Sequence, residues 1–282
     1  MAKLEYTFKN DALFKILFVN HPDLLKRLVA ELLCIKIESI GQFEITNPEI
    51  PSEQVGEKFC RLDINMTLDG RRVDLEIQVN DEGDYPERSL YYWAREYSTA
   101  LGEGGKYSSL PCTIIISIVG FSLFDCEELH SEFQALEVTR HTPLTDKICL
   151  HYFELPKLPK QITRDDEQKL WLKLFSAETE EELKKIESME VPVMKQAINA
   201  YRSAAASNEF KEIERLRSRT RHNEASALAH AQDVERAKWE KVVVEKDTEL
   251  AEQKAALAEQ KAVNTEKDAL IAELKAQLGG GK

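Results

Sequence analysis

The chain has 282 residues, of which 43% are hydrophobic and 31% charged, and its formal net charge is −12. This length allows one sizeable core plus an appendage, or two small domains. No apolar run approaches the roughly 18–20 residues that a membrane span needs, and the N-terminus lacks a signal-peptide hydrophobic region. We therefore expect a cytoplasmic protein without membrane contact. The net negative charge argues against a protein that coats nucleic acid through a broad basic surface. It does not argue against a nuclease, because a carboxylate cluster that binds a divalent cation changes its local charge.

The body before residue 206 alternates helical and strand patterns, which predicts an α/β core. Thr113–Val119 is expected to be a central strand. In chain order the sequence predicts a helical region over Phe8–Cys34 with start signals at Asn10 and His21-Pro22, strands at Phe59–Leu68 and Arg71–Val79, a helix at Glu87–Leu101, strands at Thr113–Val119 and Lys147–Leu155, and several helices over Asp165–Tyr201.

The tail from residue 206 onward has no proline, and its only glycines lie at the C-terminal end. It carries 15 acidic and 14 basic residues, so nearly all of the net negative charge belongs to the body. Residues 244–278 form heptads whose last positions are apolar except for Asn264. Two interpretations remain open: a solvated single helix, or a self-associating coiled coil in which Asn264 fixes the register and the protein is a homo-oligomer.

Cysteine and histidine spacing gives no metal or disulfide motif. Five cysteines, an odd number, include no C-x-x-C pair. We therefore expect reduced, mostly buried thiols and neither a disulfide framework nor a zinc site. The six histidines lack H-E-x-x-H spacing, which argues against a histidine-based zinc site.

The most informative motif is a hairpin with Asp69-Gly70 as its two-residue turn. In that register the numbers of each cross-strand pair sum to 139, so Asp63 faces Glu76. Facing carboxylates repel, and a divalent cation removes the penalty because Mg²⁺ binds carboxylates and water. The backbone carbonyl of Ile77 is a further suitable ligand. The alternative is a solvated polar sheet face with tolerated repulsion. The polar face comprises Asp63, Asn65, Asp74, Glu76 and Gln78.

At these residues the sequence resembles a known family. Asp63 followed by Glu76-Ile77-Gln78 resembles the D…(D/E)-x-K signature of the PD-(D/E)XK nucleases, with Gln in the place of Lys. A wider set of blocks over residues 5–160 resembles the Rpn family of recombination-promoting nucleases, often described as PD-(D/E)XK family transposases. These blocks are Asn10–Phe18, Leu62–Ile64, Leu75–Gln78, Arg88–Tyr92, Tyr107–Pro111 and Thr113–Ile118.

The resemblance implies a restriction-endonuclease-like core, with a central mixed sheet flanked by helices. The composition of the tail predicts a long C-terminal helix after this core. The corresponding organisation is a nuclease core at 1–160, a helical extension at 161–205 and a tail at 206–282. The implied activity is Mg²⁺-dependent hydrolysis of DNA phosphodiester bonds, linked to recombination or mobile elements, and the implied partner is DNA.

Carried over by position, the family motif assigns roles to single residues. Asp63 and Glu76, with the Ile77 carbonyl, would hold the metal, Gln78 would orient the attacking water, and Asp11 would complete the acidic site. Two departures matter. Leu62 stands where the general signature has Pro, a position without a chemical role, and the Gln in the Lys position removes a positive charge while keeping hydrogen-bonding capacity.

Basic residues near these blocks have two interpretations. Lys15 and Arg88 either contact phosphate or form salt bridges with carboxylates of the body. The run Arg215, Arg217, Arg219 and Arg221 either contacts the DNA backbone or forms a solvated helix face balanced by acidic neighbours.

Two other functions use the same sequence features. One is a non-catalytic, nuclease-derived scaffold that acts through its tail. The other is a defence nuclease that uses the same site on another nucleic acid. No Ser-His-Asp or Cys-His set is evident in the sequence, which argues against covalent acyl chemistry.

Overall fold

A computed structural model describes residues 3–47, 64–102 and 104–279. The chain divides into two compact units, Met1–Ser218 and Arg219–Lys282. Among the described helices, none combines the length and the apolar character that crossing a bilayer requires.

Two short helices open the first unit where the sequence predicts them. Helix α1 spans Asp11–Asn20, and the Asn10 side chain caps it by accepting a hydrogen bond from the Leu13 backbone N–H. Helix α2 spans Pro22–Leu32 and begins with proline, whose fixed φ and missing N–H suit the first helical turn. Both predicted start signals are therefore confirmed.

The described strands form one six-stranded mixed sheet in the order β1-β2-β3-β4-β6-β5. Strand β4 lies between parallel neighbours β3 and β6 and is buried throughout, which confirms its predicted central position. Sequence analysis missed the two shortest strands, β1 and β5. The strands are β1 Phe43–Ile45, β2 Ile64–Leu68, β3 Arg71–Gln78, β4 Thr113–Val119, β5 His130–Phe133 and β6 Ile148–Glu154.

The hairpin of β2 and β3 has the predicted register. Ile64 pairs with Leu75, and Asn65 pairs with Asp74, so each pair sums to 139 as expected. Asp69 and Gly70 both have positive φ, 48° and 77°, as a two-residue turn with the twist of a hairpin requires. Asp63 lies outside the described residues.

The remaining helices confirm the predicted helical stretches. They are α3 Tyr85–Thr99, α4 Glu167–Ser176, α5 Glu180–Glu187, α6 Pro192–Ala206 and α7 Asn208–Gly279. A capping box starts α5, where the Thr179 and Glu182 side chains each accept from the other's backbone N–H. The first turns of α7 belong to the first unit, and Phe210 and Ile213 are buried in its core.

The sheet separates two apolar clusters. The larger one contains the buried residues of α1, α2, α4 and α6 together with Ile64, Leu75 and Phe153 from the sheet. The smaller one lies on the other face, where Ile115 and Tyr152 pack with Tyr85 of α3. This arrangement confirms a mixed α/β fold with a central sheet flanked by helices.

The expectation of mostly buried thiols is wrong for the described cysteines. Cys34 and Cys126 are exposed, whereas Cys112 and Cys149 are half-buried. The exposed pair lies just after α2 and in the loop between β4 and β5, where no core covers the side chains. Cys60 lies outside the described residues.

Candidate active site

The polar side chains of β3 point to the α3 side of the sheet. Asp74 and Glu76 alternate with the buried apolar Val73 and Leu75, and their own exposures are only 5% and 2%. Burying an ionised carboxylate is costly unless hydrogen bonds or a cation compensate for the lost hydration. A buried acidic pair on one strand therefore needs specific partners.

One such partner of Glu76 is the first residue of α3. The Tyr85 hydroxyl donates a hydrogen bond to Glu76 Oε2 at 3.0 Å, and the Tyr85 side chain is fully buried. Pro86 follows directly in the first turn of the helix, so the start of α3 is well defined at this point. The helix thus holds a phenol against the carboxylate that the sequence assigns to the metal.

Glu76 belongs to a row of polar side chains across three parallel strands. Glu76 pairs with Ser117 of β4, and Ser117 pairs with Tyr152 of β6. Burial raises the pKa of the Tyr152 hydroxyl; its hydrogen bond with Ser89 opposes this rise, and the nearby Glu76 charge adds to it. The Ser117 hydroxyl is buried and has no hydrogen-bond partner within the described part of the chain.

Gln78 lies at the end of β3, next to a tight crossing with the end of β4. Its Nε2 donates to the Asn80 carbonyl at 2.8 Å, which leaves the side-chain oxygen as an acceptor. Its own carbonyl accepts from the Gly120 N–H at 2.8 Å. A Cβ on Gly120 would come within 2.9 Å of the Val79 carbonyl oxygen, so glycine permits this close approach.

Arg88 lies one turn into α3, beside the same site. Its guanidinium lies 4.9 Å from the centre of the Tyr85 ring and forms an ion pair with Glu82 through Nη1. The Nε and Nη2 groups are buried and have no acceptor among the described residues. Arg88 therefore has both the salt bridge of one interpretation and the spare donors that a phosphate contact needs.

The structure describes two further sequence-assigned residues, Lys15 and Ile77. Lys15 is buried, with 3% exposure, in the middle of α1. The side chain of Ile77 packs against the larger apolar cluster, and its backbone lies between Glu76 and Gln78. Asp63 lies outside the described residues, so its assignment stays a prediction.

Asp11, which the family motif assigns to the acidic site, forms an ion pair with a residue of α7. Its two carboxylate oxygens accept from Nη1 and Nη2 of Arg217, at 2.5 and 2.7 Å. Within the described residues, no hydrogen bond or ion pair joins Asp11 to β3. Arg217 belongs to the basic run for which the sequence leaves two interpretations, contact with the DNA backbone or a solvated helix face balanced by acidic neighbours. Arg215 in the same run pairs with Glu212.

The donors near Glu76 suit a hard divalent cation. Carboxylate, amide, hydroxyl and backbone carbonyl oxygens are the ligands that Mg²⁺ and Ca²⁺ prefer, and this side of β3 offers no sulfur or imidazole donor among the described residues. Within the same part of the chain, Glu76 belongs to no ready group of three ligand side chains. The hairpin register predicts Asp63 as a second carboxylate beside Glu76, and this assignment stays a prediction.

Comparison with known proteins identifies the family. A family model described as PD-(D/E)XK nuclease family transposase matches residues 8–231. The chain belongs to this family. No curated protein and no solved structure matches the chain. The mixed sheet and flanking helices agree with a PD-(D/E)XK core, and the family match extends past the resemblance seen in the sequence, into α7.

Membership of the PD-(D/E)XK transposase family implies nuclease activity on DNA linked to mobile elements, with divalent cations as the usual cofactors. Sequence analysis missed Tyr85, Ser117 and Tyr152 as neighbours of Glu76. Their association depends on which strands are adjacent and on where α3 begins. Neither follows from spacing along one strand.

Proposed function

We propose that this protein is a Mg²⁺-dependent DNA endonuclease whose site is built on the polar end of β3. The observation that carries the proposal is a buried glutamate, Glu76, at the acidic position of the family motif, held by a buried Tyr85 hydroxyl at 3.0 Å. Family membership supports the reaction class, and the oxygen-only donor set supports the cation.

Asp63 and Glu76, with the carbonyl of Ile77, are the proposed metal ligands. When bound, a divalent cation would lower the pKa of a coordinated water and stabilise charge that develops on the phosphate. Asp63 enters this set from the sequence alone, through the family motif and the hairpin register. Glu76 enters it from both the motif and its buried position.

The chain's own residues position the reactants. Tyr85 fixes one oxygen of Glu76, so the other oxygen has a defined direction. Gln78 is a neutral amide that cannot remove a proton from water at pH 7, so its proposed role is to orient the nucleophile through its side-chain oxygen. Arg88 has spare guanidinium donors, and two parallel N–H groups suit a phosphate.

The experiment that tests the reaction class is a substrate panel with purified full-length protein. Supercoiled plasmid, linear duplex, single-stranded DNA and RNA are each incubated with Mg²⁺ or with EDTA. We expect Mg²⁺-dependent nicking and linearisation of plasmid. Preferential cleavage of RNA would support the defence-type nuclease instead. A folded protein that cleaves none of these substrates would favour the non-catalytic scaffold.

We also propose that residues 219–279 self-associate with a second copy of the chain. This part of α7 exposes an apolar residue at successive heptad positions, among them Leu250 at 47%, Leu257 at 53% and Ile271 at 48%. Asn264 interrupts the same positions, as a register-fixing polar residue does in coiled coils. An isolated helix gains nothing from such a stripe, whereas a pair of helices would bury it.

Sedimentation velocity of the full chain tests this association. We expect a dimer for the wild-type protein and a monomer for Leu250→Glu/Leu257→Glu, because two charges would be buried at the centre of the pair. Glu252→Gln/Glu259→Gln, at the second position of the heptad repeat, is the matched control and should remain dimeric. A monomeric wild type would favour the solvated single helix.

A further inference from the structure

The edge of the sheet opposite β1 carries a cluster of metal-binding side chains that the family motif does not include. Cys149 and His151 are two residues apart on β6, and Glu132 of β5 is the direct cross-strand partner of His151. The ligand atoms of these three residues all lie within 4.8 Å of one another. Alternation along β6 and direct pairing across to β5 place them on one face.

Two distances define the centre of this cluster. Cys149 Sγ is 3.0 Å from His151 Nε2 and 3.5 Å from Glu132 Oε1. In a tetrahedral zinc site, bond lengths near 2.0–2.3 Å separate neighbouring ligand atoms by about 3.5 Å. The two distances from Cys149 Sγ are thus near the spacing that a single zinc ion requires, and the third pair of ligand atoms lies within 4.8 Å.

A second histidine lies within hydrogen-bond distance of His151. His130 Nε2 lies 2.9 Å from His151 Nδ1, and the two rings stack with an interplanar angle of 10°. If His151 donates its Nδ1–H to His130, the His151 Nε2 lone pair faces Cys149 and Glu132. Zinc-bound histidines commonly have such a second hydrogen-bond partner, which fixes the ring and raises its basicity.

The cluster is separate from the proposed nuclease site. On β6, Cys149 and Phe153 pack with the larger apolar cluster, whereas Tyr152 packs with Tyr85 in the smaller one. Glu76 contacts Tyr85 and so lies on the smaller cluster's face. The two sites therefore lie on opposite faces of the sheet, with β4 between β3 and β6.

We propose that Glu132, Cys149 and His151 bind a zinc ion, with His130 as the residue that positions His151. The mixture of sulfur, imidazole nitrogen and carboxylate oxygen is typical of zinc and unlike the oxygen-only set near Glu76. Glu132 is exposed, so an ion has a path from solvent. Three protein ligands leave the fourth position for water.

In the metal-free protein, burial has opposite consequences for two of these ligands, because it favours metal binding by His151 and opposes it by Cys149. Burial lowers the pKa of His151 to about 4, so its imidazole is neutral at pH 7, as a ligand must be. Burial, together with the Glu132 charge, raises the pKa of the Cys149 thiol to about 12. Zinc binding therefore replaces the thiol proton, which is released to solvent as the Zn–S bond forms.

The bound ion would join the edge strand to the rest of the sheet. Among the described strands, β5 has only β6 as a neighbour, and its side chains are half-buried or exposed. Glu132 comes from β5, whereas Cys149 and His151 come from β6. Zinc would thus crosslink these two strands and stabilise the folded state in proportion to its occupancy.

Cobalt titration of the reduced, metal-free, full-length protein tests the site directly. Co²⁺ with one thiolate and three further ligands is expected to give a thiolate-to-metal charge-transfer band and intense tetrahedral visible bands, which Zn²⁺ should remove by displacement. We expect Cys149→Ser to abolish the charge-transfer band. His151→Gln and Glu132→Gln should each lower zinc affinity by about 100-fold, and His130→Ala by about tenfold.

Matched variants separate this site from the others. Cys34→Ser removes another exposed thiol and should leave the cobalt spectrum unchanged. Glu76→Gln removes the proposed magnesium ligand and should also leave it unchanged, so failure of the nuclease proposal does not affect this result. Glu132 is exposed, so Glu132→Gln should fold normally, and circular dichroism of each metal-free variant checks this.

Three results would overturn the zinc proposal. One is a wild-type protein that binds neither Co²⁺ nor Zn²⁺. Another is a charge-transfer band that persists in Cys149→Ser. The third is zinc affinity that falls in Glu76→Gln but not in His151→Gln. As an independent readout, Zn²⁺ should raise the Tm of the wild type and not that of Cys149→Ser.

Discussion

Removal of the Tyr85 hydroxyl tests how the structure holds Glu76. The phenol donates to Glu76 Oε2 at 3.0 Å, and both side chains are almost completely buried. Tyr85→Phe keeps the ring and leaves no large cavity, so the change removes mainly this hydrogen bond. A hydrogen bond to a charged group contributes about 1.5–3 kcal/mol, which corresponds to roughly 10- to 100-fold in rate if it is all expressed in the transition state.

The assay is the initial rate of plasmid nicking at saturating Mg²⁺, with urea unfolding of the same sample. We expect Tyr85→Phe to nick at least about tenfold more slowly while it stays folded under assay conditions. Tyr91→Phe, on the exposed side of the same helix, is the matched control and should nick at the wild-type rate. A Tyr85→Phe rate within about twofold of wild type would refute a positioning role for Tyr85.

Three further changes test the surroundings of the site and the packing of the fold. Gly120→Ala places a Cβ 2.9 Å from a backbone carbonyl oxygen, so it should lower the free energy of unfolding by about 1–3 kcal/mol in urea titration. The control is Gly102→Ala, whose Cβ meets nothing within 4 Å and which should leave the free energy of unfolding unchanged. Backbone N–H donors lower the pKa of Glu182, so its stabilisation is present above the unfolded pKa and is lost as pH falls through the lower folded pKa. In thermal unfolding, Glu182→Ala should therefore cost about 1 kcal/mol at pH 7 and little once the pH lies below the lowered folded pKa. Asp11→Asn should lower the free energy of unfolding by up to about 1 kcal/mol, because the ion pair with Arg217 is lost, and the variant should still cleave plasmid. Loss of cleavage at unchanged stability would instead place Asp11 in the acidic site.

The local features of the hairpin could be predicted because they depend on neighbouring residues alone. Asp69-Gly70 determines the turn, the turn determines the register, and alternation assigns Asp74 and Glu76 to one face. The largely apolar β4 could be recognised as central for a similar reason, since a strand covered on both faces tolerates such a run.

Features that depend on topology could not be predicted in this way. Strands β1 and β5 are short and largely polar or half-buried, so they give no clear alternation. The row of Glu76, Ser117 and Tyr152 exists only because β3, β4 and β6 are adjacent and parallel. The spacings H-E-x-x-H and C-x-x-C reveal a metal site only when its ligands are close together in the sequence. The cluster of Glu132, Cys149 and His151 instead depends on the pairing of β5 with β6.

The nicking rate of Glu76→Gln in Mg²⁺ tests the central claim most directly, since Glu76 is the one proposed metal ligand whose side-chain environment is described. Glu44→Gln, an exposed glutamate on β1, is the matched control. The account predicts that Glu76→Gln loses plasmid nicking, as EDTA does for the wild type, while Glu44→Gln retains the wild-type rate. Cation-dependent nicking that survives in folded Glu76→Gln would contradict a nuclease site at the polar end of β3.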